Sequence, residues 1–89
     1  GLAHLTRIQA RVLAPEVRVN AIAPGALLQP NDWSDERWAA IAEAVPLKRS
    51  GSPDDLSQAV LFFADADFVT GEILIVDGGR HLGPNGPPT

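Results

Sequence analysis

The sequence contains no cysteine, and this absence excludes two kinds of stabilising chemistry. Neither a disulfide nor a thiolate metal site can form. The lack of cysteine fits a reducing compartment, and we predict a cytoplasmic location. The two histidines, His4 and His81, lie too far apart in sequence to have the spacing of metal ligands. We therefore predict no metal site.

Basic residues and long apolar runs are also scarce. The chain carries 7 lysines and arginines against 11 aspartates and glutamates, a formal net charge of -4. No basic stripe is present to neutralise phosphates, which argues against a nucleic-acid partner. The apolar runs are far too short to span a bilayer, so we expect no membrane partner.

Methionine is absent too, and the chain begins Gly-Leu-Ala-His. Its 89 residues make one small domain at most, with a modest core. A helical pattern follows Gly1 directly, without a capping residue before it. We expect the sequence to be the C-terminal piece of a longer chain.

Hydrophobic periodicity and turn residues predict three helices and two strands. In chain order these are a helix from Leu2 to about Ala14, a strand over 17–23, a helix capped by Ser34 and ended by Pro46, a helix begun by Ser52-Pro53, and a strand over 73–76. The last helix should bury a stripe made of Leu56, Ala59, Val60 and Phe63. Two buried strands joined by a helical crossover form one parallel βαβ unit.

Two parallel strands do not make a stable sheet by themselves. Buried parallel strands require further strands and covering helices, and this chain supplies too few. We expect the missing neighbours to come from an absent N-terminal segment or from another chain.

The first strand ends abruptly at Pro24-Gly25. Ligands of open α/β sheets bind just beyond the carboxyl ends of the strands, and glycine permits close backbone approach. The pair therefore indicates a ligand edge. Taken alone, it is also typical of a plain turn.

Three motifs in order resemble the short-chain dehydrogenase/reductase family. They are Arg18-Val19-Asn20 followed by Pro24-Gly25, the linker PLKRSGSPDD over 46–55, and TGEILIVDGG over 70–79. The resemblance implies an α/β fold, namely the C-terminal βαβ portion of a Rossmann-like doubly wound parallel sheet. Residues 1–82 would form this portion, and 83–89 a flexible tail rich in proline and glycine.

Within the family the sequence looks most like the pteridine reductase group, through its apolar PGALLQP loop and its ending VDGGRHL. A 3-oxoacyl-carrier-protein reductase or a sugar dehydrogenase shares most of these features. The first helix resembles the one that follows the family's catalytic tyrosine and lysine. This sequence has no tyrosine, and we assign no catalytic residue to it.

The resemblance implies that Pro24, Gly25, Ala26 and Leu27 flank the nicotinamide of the cofactor. A main-chain group near Leu27 would bind the carboxamide. Many members place a threonine, which meets the cofactor diphosphate, where this chain has Gln29. The amide of Gln29 is expected to replace that contact in part.

Residues 28–45 match the family's variable substrate loop. Leu28, Trp33 and Trp38 are the candidate substrate-binding residues, and the two indole rings are suited to stacking on a flat substrate. Simple packing is the alternative for both tryptophans, and more so for Trp38, which shares a helical stripe with Ile41 and Val45.

Other polar residues receive structural interpretations. We expect Arg18 to pair with a nearby acid and Asn20 to satisfy backbone or loop groups. Arg49 and Asp54 could pair, but we favour a solvated surface for both. His81 is a candidate for a pocket, since the end of the chain can reach a neighbouring subunit in this family.

The leading hypothesis is the C-terminal segment of a short-chain oxidoreductase that transfers hydride from NADP(H) to a C=N or C=O group of a small-molecule substrate. NAD(H) stays open as the cofactor, because the residues that choose between the two are absent. The family implies a homo-oligomer, most often a tetramer. The alternative is a non-catalytic, truncated oligomerisation module.

Overall fold

A computed structural model describes residues 1–86. Its elements are α1 (Leu2–Leu13), β1 (Ala21–Pro24), α2 (Asp35–Ala44), α3 (Pro53–Asp65), β2 (Ile73–Val76) and a short 3₁₀ turn (Arg80–Leu82). The predicted order of helices and strands is confirmed. Part of the tail predicted to be flexible, residues 87–89, lies outside the described residues.

The two strands pair in parallel, with Ala21 opposite Ile73 and Pro24 opposite Val76. A crossover that contains α2 and α3 connects them. Parallel pairing requires such a crossover, because the chain must return to the starting edge before the second strand begins. The predicted α/β architecture is confirmed.

The first strand is shorter than predicted. It begins at Ala21 instead of Val17, because a strand needs a partner and β2 begins only at Ile73. Residues 17–20 run beside the turn before β2. There the N–H of Val19 donates to the Thr70 hydroxyl at 3.1 Å, and the Val19 carbonyl accepts from the Gly71 N–H at 2.7 Å.

Both crossover helices begin at the predicted caps. The Ser34 hydroxyl accepts from the Arg37 N–H at 3.1 Å and so satisfies one of the open donors of α2. At α3 the carboxylate of Asp55 reaches back to accept the Ser52 N–H at 2.8 Å, with Pro53 at the first helical position. Local sequence fixes these boundaries.

The sequence Arg18-Val19-Asn20 fastens the end of α3 to the sheet. Arg18 donates to three main-chain carbonyls at distances of 2.7, 2.9 and 3.2 Å, those of Phe63, Ala66 and Ala64. Arg18 forms no ion pair in residues 1–86. The predicted pairing with an acid is therefore wrong, because the open carbonyls at a helix C-terminus attract the guanidinium.

Asn20 makes two hydrogen bonds to the main chain of the turn that precedes β2. Its amide donates to the Val69 carbonyl at 3.0 Å, and its oxygen accepts from the Glu72 N–H at 3.0 Å. The prediction that Asn20 satisfies backbone groups is confirmed.

The buried core of residues 1–86 is small. Its buried members are Thr6, Ala10, Val45 and Ala59. The stripe predicted on α3 is only partly covered, since Leu56 and Phe63 are half-buried and Val60 is exposed. On α1 the apolar side chains Leu2, Leu5, Ile8 and Val12 are exposed as well.

The exposed area of the chain is large for its mass. The surface is 6612 Å², whereas a folded monomer of this mass exposes about 5,000 Å². The excess of about 1,600 Å² is twice what one partner buries in a standard protein interface. The apolar faces of α1 and α3 account for much of what this chain leaves uncovered.

Candidate functional site

The candidate site lies where β1 and β2 end together. The Gly25 N–H donates to the Val76 carbonyl at 2.9 Å, directly after the last paired residues. A Cβ at Gly25 would lie 2.9 Å from the Cα of Asp77. Glycine is needed here because two backbones approach each other at this edge.

The next two residues rest against the connector that precedes α3. The Ala26 carbonyl accepts from the Gly51 N–H at 2.9 Å. The Leu27 Cδ2 atom lies 2.6 Å from the position that a Cβ of Gly51 would occupy. Among the hydrogen bonds of residues 1–86, none uses the N–H or the carbonyl of Leu27. Its peptide groups are therefore available to a ligand.

An ion pair holds the connector in place. Two guanidinium nitrogens of Arg49 contact the two carboxylate oxygens of Asp55 at 2.9 and 3.0 Å. A solvated surface was the favoured expectation for Arg49, with Asp54 as a possible partner, but Arg49 instead pairs with the adjacent acid, Asp55. The hydrogen bonds from Arg49, followed by that from the Ser52 N–H, hold the pKa of Asp55 well below its usual range.

A cavity of about 130 Å³ opens between these segments. Its walls come from the end of β1, the connector and the end of β2, and include Gly25, Ala26, Arg49, Gly51 and Asp77. The cavity thus joins the three motifs singled out in the sequence. Within residues 1–86 no group of three or more acidic or histidine side chains could hold a metal ion.

Residues 1–81 match the sequence model of the family described as Enoyl-(Acyl carrier protein) reductase. The chain belongs to the short-chain dehydrogenase/reductase family. No helix among the described residues of this family member is long and apolar enough to cross a membrane.

Three relatives illustrate the similarity. The putative ketoacyl reductase 2 of the granaticin polyketide synthase from Streptomyces violaceoruber is 46% identical over 81 residues, 86% of this chain and 32% of that protein. The dihydromonapterin reductase of Citrobacter koseri is 42% identical over 83 residues, 92% of this chain and 34% of that protein. The crystal structure of FolM alternative dihydrofolate reductase 1 from Brucella suis, in complex with NADP, superposes with a TM-score of 0.84 at 35% identity, over 97% of this chain and 35% of that one.

The chain therefore spans about a third of the length of the relatives it matches. The structural match shows that its two parallel strands and their helices correspond to part of a Rossmann-like short-chain dehydrogenase/reductase fold.

The side chain of Gln29 lies inside the loop that follows the site. Its amide nitrogen donates to the Trp33 carbonyl at 3.0 Å and to the Asp35 carboxylate at 3.1 Å. A contact from this amide to a cofactor diphosphate requires at least one of these bonds to break, and the nearby carboxylate repels phosphate. The role predicted for Gln29 stays a prediction.

The two tryptophans of the loop contact each other edge to face, with ring centroids 6.1 Å apart. The Arg37 guanidinium lies over the Trp33 ring, 3.7 Å from its centroid. Trp33 and Trp38 are half-buried, whereas Leu28 is exposed. One face of Trp33 is thus already occupied by a cation and is not open to a planar substrate.

The turn after β2 is organised by Asp77. Its carboxylate accepts the N–H groups of Gly79 at 2.9 Å and His81 at 3.0 Å, and lies 2.9 Å from Nδ1 of His81. Burial of Asp77 acts to raise its pKa, but these hydrogen bonds outweigh burial and lower the pKa. His81 is therefore tied to the turn at the ligand edge, which keeps its proposed pocket role open.

Sequence reasoning missed two contributors to this region. Gly51 was read only as part of a motif, and Arg37 was not singled out. The signal for Arg37 was its spacing of four residues from Trp33, which brings two side chains of a helix start together. For Gly51 the sequence held no signal of which side chain fills its missing Cβ.

Proposed function

We propose that this chain is the C-terminal segment of an NADP(H)-dependent reductase, in which it forms the wall at the nicotinamide side of the active site. The observation that carries the proposal is the peptide of Leu27 at the carboxyl edge of the sheet, which makes no hydrogen bond within residues 1–86. A peptide N–H and carbonyl match the acceptor and donor of a carboxamide. This is where ligands of open α/β sheets bind.

In this proposal the cofactor supplies the hydride, and the chain positions it. Pro24 and Gly25 end the strand, and Ala26 and Leu27 present the main chain to the nicotinamide. Leu28, Trp33 and Trp38 line the substrate side. The proton donor and the pyrophosphate site would come from the part of the reductase that precedes Gly1.

A pteridine-like substrate with a C=N group is the favoured class. The similarity to dihydromonapterin reductase and to FolM supports it. In our proposal the half-buried indoles of Trp33 and Trp38 form an aromatic wall beside a bicyclic ring.

A ketoacyl substrate is the second candidate, because a putative ketoacyl reductase is 46% identical over 81 residues. Both classes accept the same hydride, at C=N in one and C=O in the other. The substrate loop, residues 28–45, distinguishes them in our proposal.

The exposed apolar faces of α1 and α3 support a further part of the proposal, namely that this chain packs against other protein segments. An excess surface of about 1,600 Å² needs cover from the rest of the reductase, from other subunits, or from both. We propose a homo-oligomer, with a tetramer as the specific expectation and the cytoplasm as its location.

The first measurement is the intact mass of the gene product under denaturing conditions. A mass of about 25–30 kDa, expected of an α/β domain of roughly 250 residues, supports the proposal. A product consisting of this chain alone contradicts the catalytic role and favours the non-catalytic oligomerisation module.

The activity assay follows NADPH oxidation by the full-length product with dihydrobiopterin and, separately, with a 3-oxoacyl thioester. We expect faster turnover of the pterin. Residues 28–45 should then be replaced by the segment of the granaticin ketoacyl reductase that aligns with them. This replacement should shift the substrate preference toward the thioester. A preference that does not follow the loop contradicts the assignment of substrate selection to it.

A further inference from the structure

We infer that Gly51 is a positioning residue for the nicotinamide end of the cofactor site. The inference rests on the proposed function. Gly51 acts through Ala26 and Leu27, and the contact between them is built from one hydrogen bond and one tight packing contact.

The requirement for glycine at this position comes from space and not from backbone conformation. Gly51 is absent from the set of glycines with a positive φ, which are Gly71, Gly78, Gly79, Gly83 and Gly86. Its missing Cβ leaves the room that the Leu27 Cδ2 atom occupies, at 2.6 Å from where that Cβ would be. Any larger residue must therefore displace the Leu27 side chain.

The neighbouring peptide is held while Leu27 is displaced. The Gly51 N–H fixes the Ala26 carbonyl at 2.9 Å, and Ala26 directly precedes Leu27. A single methyl group at Gly51 meets the terminal Cδ2 methyl of Leu27, which is the mobile end of a flexible side chain and can move aside. The bulkier side chain of valine needs more room while the hydrogen bond retains Ala26, so in our inference the displacement reaches the Leu27 peptide, whose donor and acceptor face the ligand in our proposal.

The connector is rigid enough to transmit this push. Arg49 and Asp55 contact each other through two hydrogen bonds, and Asp55 also accepts the Ser52 N–H at 2.8 Å. Residues on both sides of Gly51 are thereby tied to the first turn of α3. Leu27 yields before the connector does.

The test uses Gly51→Ala and the larger Gly51→Val in the full-length protein that carries residues 1–89. A misplacement of about 1 Å at a reacting group costs up to roughly a hundredfold in rate, so we expect kcat/KM for NADPH to fall by at least about tenfold in Gly51→Val and by much less in Gly51→Ala, whose methyl group only displaces the Leu27 Cδ2 atom. Binding of 2′-phospho-ADP-ribose, which lacks the nicotinamide, should not change. A general loss of structure would weaken the binding of NADPH and of 2′-phospho-ADP-ribose together.

Two further variants separate positioning from stability. Adding Leu27→Ala to Gly51→Val removes the displaced methyl groups and keeps the Leu27 main chain, so most of the lost kcat/KM should return. Ala10→Gly is the control for stability, because Ala10 is buried and packs 3.5 Å from the Cβ position of Gly71, before β2 begins. The Ala10→Gly variant should have a lower unfolding temperature but no selective loss of NADPH binding.

The outcomes distinguish the inference from the proposed function. A wild-type protein that does not bind NADPH overturns both. The inference alone is overturned if the wild-type protein binds NADPH but the Gly51 variants lose binding of NADPH and of 2′-phospho-ADP-ribose equally. It is also overturned if the variants lose binding of neither ligand. Selective loss, restored by Leu27→Ala, supports it.

Discussion

Replacing Arg18 by methionine tests how the crossover is fastened to the sheet. Methionine keeps a long apolar side chain and removes every donor. The change leaves the carbonyls of Phe63, Ala64 and Ala66 without the guanidinium that now contacts them at 2.7, 3.2 and 2.9 Å. Among residues 1–86 the carbonyls of Phe63 and Ala64 have no helical partner at the end of α3, whereas the Ala66 carbonyl also accepts the Val69 N–H at 3.1 Å.

The magnitude follows from the two shorter bonds. A hydrogen bond to a charged group contributes about 1.5–3 kcal/mol, and this partly exposed site belongs at the lower end. A cation near a helix C-terminus adds roughly 0.3–1 kcal/mol. Since the contributions share one side chain and are not additive, we expect Arg18→Met to lower the free energy of unfolding by about 3 kcal/mol.

The assay is urea unfolding of the purified protein, followed by circular dichroism. The midpoint should fall while the dependence on urea concentration stays constant, which identifies a change of stability and not of compactness. Arg18→Lys keeps the charge but lacks the planar fork of donors, and should recover about half of the loss. Hydrogen exchange should speed up in the last turn of α3.

Arg7→Met is the matched control. Arg7 is exposed on α1 and makes no side-chain contact among residues 1–86 that involves a carbonyl or a carboxylate, so the change should stay within about 0.5 kcal/mol. Equal effects of Arg18→Met and Arg7→Met would refute the reasoning that Arg18 caps α3.

Three further predictions concern individual contacts and are measured by the same unfolding assay. Gly78→Ala should lower the free energy of unfolding by about 1–3 kcal/mol more than Gly83→Ala does. Both glycines have a positive φ, but only at Gly78 does an added Cβ meet Val45, at 2.5 Å. Equal losses of stability in the two variants would contradict this prediction. Asn20→Ala should cost about 2 kcal/mol through its two lost hydrogen bonds, and Asn20→Asp should cost at least as much, because it keeps the acceptor but sets a carboxylate oxygen against the Val69 carbonyl. Because the folded-state pKa of Asp55 is lowered, its contribution is complete above the unfolded-state pKa of about 3.9 and is lost as the pH falls through the folded-state value. Asp55→Asn should flatten the fall in stability below about pH 4, and an unchanged acid limb would count against the ion pair.

Much of the local structure could be predicted from residues close together in sequence. Ser34 and Ser52-Pro53 mark helix starts because capping joins groups three residues apart, and β2 was read correctly over 73–76 because turn residues bound it. The first strand was predicted too long, because its length depends on a partner 52 residues away, as in the pair Ala21 and Ile73.

The sequence also carried the family motifs, which indicated the parallel unit and the ligand edge before any coordinates were considered. Pro24-Gly25 ends β1 at the carboxyl edge, as the sequence indicated, and the assignment of a ligand to this edge stays a prediction. The orientation of Gln29 and the stacking of Arg37 on Trp33 were not predictable, because several rotamers of each side chain are compatible with the same loop sequence.

By itself the sequence determined the helix caps, the turns and the family, all of which are written in short stretches of chain. Only the tertiary structure decided that Arg18 contacts carbonyls and not an acid, since its partner Phe63 is 45 residues away. Only the tertiary structure likewise shows that Gly51 leaves space for the Leu27 side chain. Such roles depend on which atoms the fold brings together, and no local pattern specifies that.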